Sequence, residues 1–109
     1  MVITTALAVE FEGFNPAAEI WGGTQANFVL RRPGHHGKEV AVVLNAPAAE
    51  FLAQTLGRED SPPFREDATR RLGQALLERL AAATEHVESV VFISRPLLEA
   101  DAALVAALR

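Results

Sequence analysis

The chain has 109 residues, a net charge of −4 and no cysteine, and half of its residues are hydrophobic. This length suits one domain, residues 1–109, which can bury a core without metal or disulfide staples. The lack of cysteine excludes disulfides, thiol catalysis and thiolate metal sites, and the acidic balance argues against nucleic acid as a partner.

No apolar run reaches the roughly 18–20 residues that a membrane span needs. The first residues include no basic region and are soon followed by Glu10, so the sequence does not predict a signal peptide. Arginine outnumbers lysine nine to one, a bias associated with bacterial genomes rich in G and C. We therefore expect a cytoplasmic protein, of bacterial type, that does not contact a membrane.

Residues 2–12 alternate between larger apolar side chains and small or polar ones. The larger apolar side chains share one face of an extended chain: Ile3, Leu7, Val9 and Phe11. A period of two predicts a strand with one buried face. We expect Gly13 to end this strand.

Residues 13–24 have no clear period and contain breakers such as Asn15-Pro16. They predict a loop that can hold a short helical turn after Pro16. The loop carries Phe14 and Trp21, the only tryptophan. Such aromatic residues can line a pocket or anchor a partner, or they can fold back and close one end of the core. Phe14 and Trp21 are therefore candidates for a pocket or an interface.

Residues 25–32 predict a second strand and residues 39–44 a third. Pro33-Gly34 suits the centre of a type II turn, because proline fixes φ and glycine accepts a positive φ. The two strands should therefore form an antiparallel hairpin. The third strand is apolar on both faces, which is typical of a strand inside a sheet that is covered on both sides.

The tip of this hairpin is the most distinctive local feature of the sequence. It carries three fixed positive charges and two imidazoles: Arg31, Arg32, His35, His36 and Lys38. Residues 31–38 hold a charge of +3, which leaves −7 for the remainder. The tip can bind an anionic ligand or an acidic protein partner, or it can be a solvated turn. Adjacent side chains of an extended chain point apart, so no metal site is predicted.

The second half of the chain predicts helices around one further strand. Residues 46–56 form a short helix, and Ser61 caps a long one that continues to His86 with apolar residues every three to four positions. Residues 88–94 contain a strand that is apolar on both faces, and Pro96 starts the last helix.

The implied order is β-β-β-α-α-β-α. It indicates an α+β fold, in which a mixed sheet of about four strands combines an antiparallel meander of the first three with a parallel fourth strand, and three helices pack on one face. The opposite face would carry Ala41, Val43, Val91 or Ile93, or their alternates. Because a wet apolar face costs about 25 cal/mol per Å², either the last helix or a second copy of the chain should cover it.

These patterns favour a small, non-enzymatic binding or interaction module that forms a homodimer through the apolar sheet face or the last helix. The alternative is a small enzyme or anionic-ligand-binding domain, with its pocket between the 13–24 loop and the hairpin tip. There His35 or His36 would act as an acid, a base or an anion ligand. No catalytic residue and no cofactor is predicted, because no nucleophile elbow and no nucleotide-binding glycine motif occurs.

Overall fold

The computed structural model describes residues 7–109. Its strands are β1 (Ala8–Asn15), β2 (Thr24–Arg31), β3 (Lys38–Leu44) and β4 (Val90–Ile93). Its helices are α1 (Ala46–Leu56), α2 (Pro62–Ala83), α3 (Arg95–Ala100) and α4 (Ala102–Ala106), with a 3-10 helix at Pro16–Trp21. One sheet has the spatial order β1-β2-β3-β4, antiparallel except for the parallel pair β3 and β4. The predicted α+β fold and the order β-β-β-α-α-β-α are confirmed.

β1 continues past the glycine that was expected to end it. Its predicted beginning, residues 2–6, lies outside the described residues. Gly13 is inside the strand with a φ of 136°, where the register with β2 shifts between Phe11 and Gly13. The shift leaves Glu12 as the extra residue of a β-bulge, and glycine accepts the unusual φ that follows. The strand therefore extends to Asn15.

The hairpin of β2 and β3 has the predicted turn. The His35 backbone N–H donates to the Arg32 carbonyl at 3.2 Å, and Gly34 between them has a φ of 76°. Phe28 is buried, and its neighbour Val29 points to the other face of the sheet. The alternation predicted for β2 is therefore confirmed.

All four helices contribute to one layer on one face of the sheet. α2 packs on β1, β2 and β3, α3 packs on α1, and α4 packs on α2. The last helical segment is thus part of this layer, as its core residues Leu98, Leu104 and Val105 show. None of α1 to α4 lies over the other face of the sheet, so the last helix does not cover it. None of these helices is both long and apolar enough to cross a membrane.

The predicted last helix is two helices, because Asp101 interrupts it. Asp101 has a non-helical backbone, with φ −131° and ψ 80°. Its carboxylate accepts a hydrogen bond from the Leu104 N–H at 3.0 Å and lies 2.6 Å from an Arg79 nitrogen. Asp101 therefore ends α3 and caps α4.

α2 begins as predicted but ends before His86. The Ser61 hydroxyl accepts a hydrogen bond from the Phe64 N–H at 3.3 Å, as an N-cap does. The helix ends at Ala83, and Thr84 leaves the helical conformation with φ −148° and ψ 150°. The last three predicted residues therefore belong to the connection to β4.

The middle of α2 lies so close to the sheet that it has room only for glycine. A Cβ at Gly73 would be 2.7 Å from the Phe28 ring and 3.4 Å from the Val42 Cβ. Alanine in place of a helical glycine normally stabilises by about 0.5–1 kcal/mol, whereas overpacking a core costs about 1–3 kcal/mol. We expect Gly73→Ala to lower the free energy of unfolding, measured by urea denaturation. A rise would contradict this close packing of α2 on Phe28.

Candidate functional site

The two regions that the sequence singled out lie at opposite ends of β2. The 3-10 helix and Gly22-Gly23 precede this strand, and its eight residues lead to Arg31 at the hairpin tip. At the usual rise the strand spans about 23 Å. Residues around Phe14 line a groove of about 470 Å³ with the start of α2. The tip lines a separate groove of about 540 Å³ with Glu85 and Val87. The two regions therefore line two separate grooves, and not the single pocket that was expected between them.

Arg32 of the tip is bound to the end of α2. Its guanidinium donates to the Ala81 carbonyl at 3.0 Å and to the Thr84 carbonyl at 2.6 Å. The last carbonyls of a helix lack partners within the helix and carry a partial negative charge. Arg32 satisfies two of them, so it ties the hairpin to the helical layer. The sequence held no signal of this, because the partners lie 49 and 52 residues away.

The other two cations of the tip also contact protein groups. The Lys38 ammonium donates to the Val87 carbonyl. The Arg31 Nε lies 3.1 Å from a Glu10 carboxylate oxygen on β1. All three cations of the tip are therefore held by protein contacts, although only Arg31 is paired with an opposite charge. The role of the tip in binding an anion stays a prediction.

His35 and His36 are exposed at the tip and border the same groove as Arg32 and Lys38. The structure thus brings together the tip residues that were predicted as one site. Phe14 and Trp21 lie away from them, at the other end of β2. Across residues 7–109, no three His, Asp or Glu side chains are placed so that they could hold a metal ion.

The groove beside Phe14 is built around an ion pair at the start of α2. Two Arg65 nitrogens donate to the two Asp60 carboxylate oxygens at 2.7 and 2.8 Å. These hydrogen bonds with Arg65 lower the pKa of Asp60 from its ordinary 3.8. Ser61 beside them caps α2. The polar groups of this groove therefore hold the turn between α1 and α2, and Phe14 covers its far side.

The face of the sheet without helices carries an apolar patch on its β3–β4 side. Ala41 pairs with Val90 and Val43 with Phe92 in the parallel register. Val90 is 46% exposed and Phe92 is 59% exposed. Val43 is buried although it is not part of the main core. The patch thus uses the alternates Val90 and Phe92, whereas Val91 and Ile93 face the helices.

Trp21 extends this patch beyond the end of β2. A Cβ at Gly23 would lie 2.5 Å from the Trp21 ring, so the ring occupies the space of the missing side chain. In the alternation of β2, position 23 shares the face of Gln25, which pairs with Val43. The ring is 56% exposed. We name Trp21, Ala41, Val43, Val90 and Phe92 the apolar patch.

The β1–β2 side of the same face is mostly polar, with the half-buried Val29 between Glu10 and Glu39. It carries two glutamates of β1, an arginine and two amides of β2, and the first glutamate of β3: Glu10, Glu12, Arg31, Gln25, Asn27 and Glu39. Only Arg31 among them is positive, and it is paired with Glu10. The apolar patch is therefore bordered on one side by acidic and amide groups.

β4 is an edge strand with one unpaired side. The Ser89 carbonyl accepts from the Ala41 N–H at 2.8 Å, and the Ile93 carbonyl accepts from the Asn45 N–H at 3.3 Å. Backbone groups alternate in direction along a strand, so those of Val90 and Phe92 point away from β3. No partner for them occurs within residues 7–109. The sequence missed this exposure, because four consecutive apolar residues suggest a strand that is buried on both faces.

Comparisons with known proteins leave the surface to be interpreted from its own geometry. No protein-family model, no curated protein and no solved structure matches the chain. Among the features described above, the exposed side chains of Val90 and Phe92 and the free edge of β4 lack a partner in residues 7–109.

The role of Arg32 can be tested against that of its neighbour. Removing the two hydrogen bonds from Arg32 to the end of α2 should cost about 1–2 kcal/mol of unfolding free energy in Arg32→Ala. The half-exposed Arg31–Glu10 pair should be worth about 0–1 kcal/mol, so Arg31→Ala is the matched control. Thermal and urea denaturation measure both variants. Equal effects would contradict a structural role that is special to Arg32.

The Asp60–Arg65 pair should make stability depend on acid pH. Because the folded-state pKa of Asp60 is lowered, its contribution is present above pH 3.8 and is lost as the pH falls further. Asp60→Asn should therefore destabilise most at neutral pH and progressively less as the pH falls below 3.8, as measured by urea denaturation at each pH. The control Asp67→Asn breaks only a 3.5 Å surface contact with Arg71 and should change less. A loss for Asp60→Asn that is the same at every pH would refute the pairing.

Proposed function

We propose that this chain is a small non-enzymatic interaction module that forms a homodimer through the apolar patch. The observation that carries the proposal is the exposure of Phe92 and Val90 on a sheet face that none of α1 to α4 covers. Single exposed apolar residues are common on monomers, but contiguous apolar patches usually mark an interaction site. Trp21 enlarges this one with the residue type that most often anchors interfaces.

The energies suit a weak, reversible dimer. Complete burial of one Phe or Val side chain contributes about 1.5–3 kcal/mol of free energy. In a two-fold symmetric dimer each residue contributes twice, once from each copy. Association itself costs about 4–15 kcal/mol in lost freedom and ordering. The gain from the partly exposed side chains of the apolar patch, counted in both copies, is therefore of the same order as this cost. A concentration-dependent equilibrium between one and two copies follows.

The charges on the sheet support the same surface. Glu10 and Glu12 lie on β1, at the opposite edge of the sheet from β4. A two-fold axis close to β4 keeps these carboxylates of the two copies apart, so like-charge repulsion stays small. The cations of the hairpin tip are already bound to protein groups, and the proposal does not need them.

Self-association can be tested with a charge placed in the apolar patch. The wild-type mass should rise with concentration from 11.7 kDa towards twice that value in light scattering. Phe92→Asp replaces an apolar side chain of the contact by a carboxylate and should hold the protein at the monomer mass.

Ile20→Asp makes a similar change at a residue that is 91% exposed and outside the apolar patch, and it should dimerise like the wild type. A wild-type protein that keeps the monomer mass up to several hundred micromolar would refute the proposal. Equal losses in the two variants would place the contact elsewhere.

A further inference from the structure

We propose that two copies pair along the free edges of their β4 strands, antiparallel, and join their four-stranded sheets into one continuous sheet. This inference rests on the proposed function, because it specifies how the homodimer is made. The partner is a second copy of this chain, and the contact is a backbone ladder flanked by the apolar patch.

The two edges of the sheet differ in how they are protected against strand addition. β1 has a bulge at Glu12 and outward carboxylates at Glu10 and Glu12, which are common protections of an edge strand. β4 has neither a charge nor a proline in Val90–Ile93. Its only protection is its length of four residues. The edge that carries the exposed Phe92 is therefore also the edge that is open to a further strand.

The second copy fits this edge because β4 is complementary to itself. In an antiparallel pair, directly opposite residues share a face of the sheet. With the two-fold axis at Val91, Val90 of each copy lies opposite Phe92 of the other. The outward N–H and C=O groups of both residues then pair, which makes four hydrogen bonds with no group of this set left over.

The neighbouring registers satisfy fewer groups. An axis at Phe92 would place Val90 opposite Ser94, whose carbonyl already accepts from the Leu98 N–H at 3.2 Å at the start of α3. An axis at Val90 would place the exposed carboxylate of Glu88 opposite the Phe92 ring. The register centred on Val91 has neither conflict.

The side chains and charges agree with edge pairing. Two pairs of Val90 and Phe92 across the new ladder combine a β-branched with an aromatic residue, a favourable cross-strand pair. The acidic β1 strands become the outer edges, about 34 Å apart at the usual strand spacing. Stacking the two open faces instead would bring Glu39 of β3 close to the apolar patch and leave the edge groups of β4 unpaired.

The absence of cysteine allows a direct test by disulfide trapping. In the proposed register the two Val91 residues form a non-hydrogen-bonded pair with Cα atoms about 4.5 Å apart, within disulfide reach. The two Phe92 residues lie about 8 Å apart and beyond it. Under mild oxidation, Val91→Cys should give a covalent dimer that non-reducing electrophoresis resolves, and Phe92→Cys should not.

The outcomes separate this inference from the proposed function. Trapping of Phe92→Cys but not of Val91→Cys would overturn edge pairing and leave a dimer through the open face or another register. A wild-type dimer that neither variant traps would also overturn the edge pairing alone. A wild-type monomer that neither variant traps would overturn both, and would leave the edge to a strand from another protein.

A second variant does not depend on a cysteine that faces the core. Val90→Pro removes the outward N–H and leaves the bonds between β3 and β4 in place, since proline is tolerated where the edge N–H faces solvent. Losing one donor from each copy should weaken dimerisation about ten-fold or more. The control is Val90→Thr, which keeps the N–H and the branched shape. Equal dimer affinities of the two variants, with both folded by circular dichroism, would overturn the inference.

Discussion

The packing of α2 across β2 and β3 determines which face of the sheet is buried, and the rest of the structure depends on it. Phe28 of β2 fits against Gly73 of α2, where any side chain at position 73 would overlap the ring. That contact sets the alternation of β2, and through the hydrogen-bonded register it sets the faces of β3 and β4. Phe92 is exposed because its position in this register is opposite to that of the buried Ile93.

A second set of contacts joins the charged hairpin tip to the helical layer. Arg32 and Lys38 donate to carbonyls of residues 81, 84 and 87, which join the end of α2 to β4. The hairpin and the helical layer are therefore held together at the end of the sheet far from Phe14. Two of the three cations that are clustered in the sequence thus donate hydrogen bonds to backbone carbonyls in the folded chain.

The sequence predicts what depends on local pattern and misses what depends on neighbours in space. The alternation of β2, the turn at Gly34 and the cap at Ser61 follow from residue types within a few positions. The edge position of β4 does not, because Val90–Ile93 has no alternation to show which face is exposed. The break at Asp101 could not be predicted either. A polar residue in a helical pattern looks the same in the sequence whether it faces solvent or caps the next helix. The sequence alone pointed to Trp21, Ala41 and Val43 as candidate surface residues. It did not show that Phe92 lies on the same face of the sheet.

The bulge at Glu12 has a consequence for the size of any assembly. If β4 pairs with β4, both outer edges of the joined sheet are β1 strands, and each is kinked by the bulge and lined with carboxylates. Pairing of β1 with β4 of another copy would be head-to-tail and could repeat without limit into a filament. The bulge and the two glutamates disfavour that arrangement. In the proposed dimer no open edge would therefore remain, and growth would stop once the two β4 edges had paired.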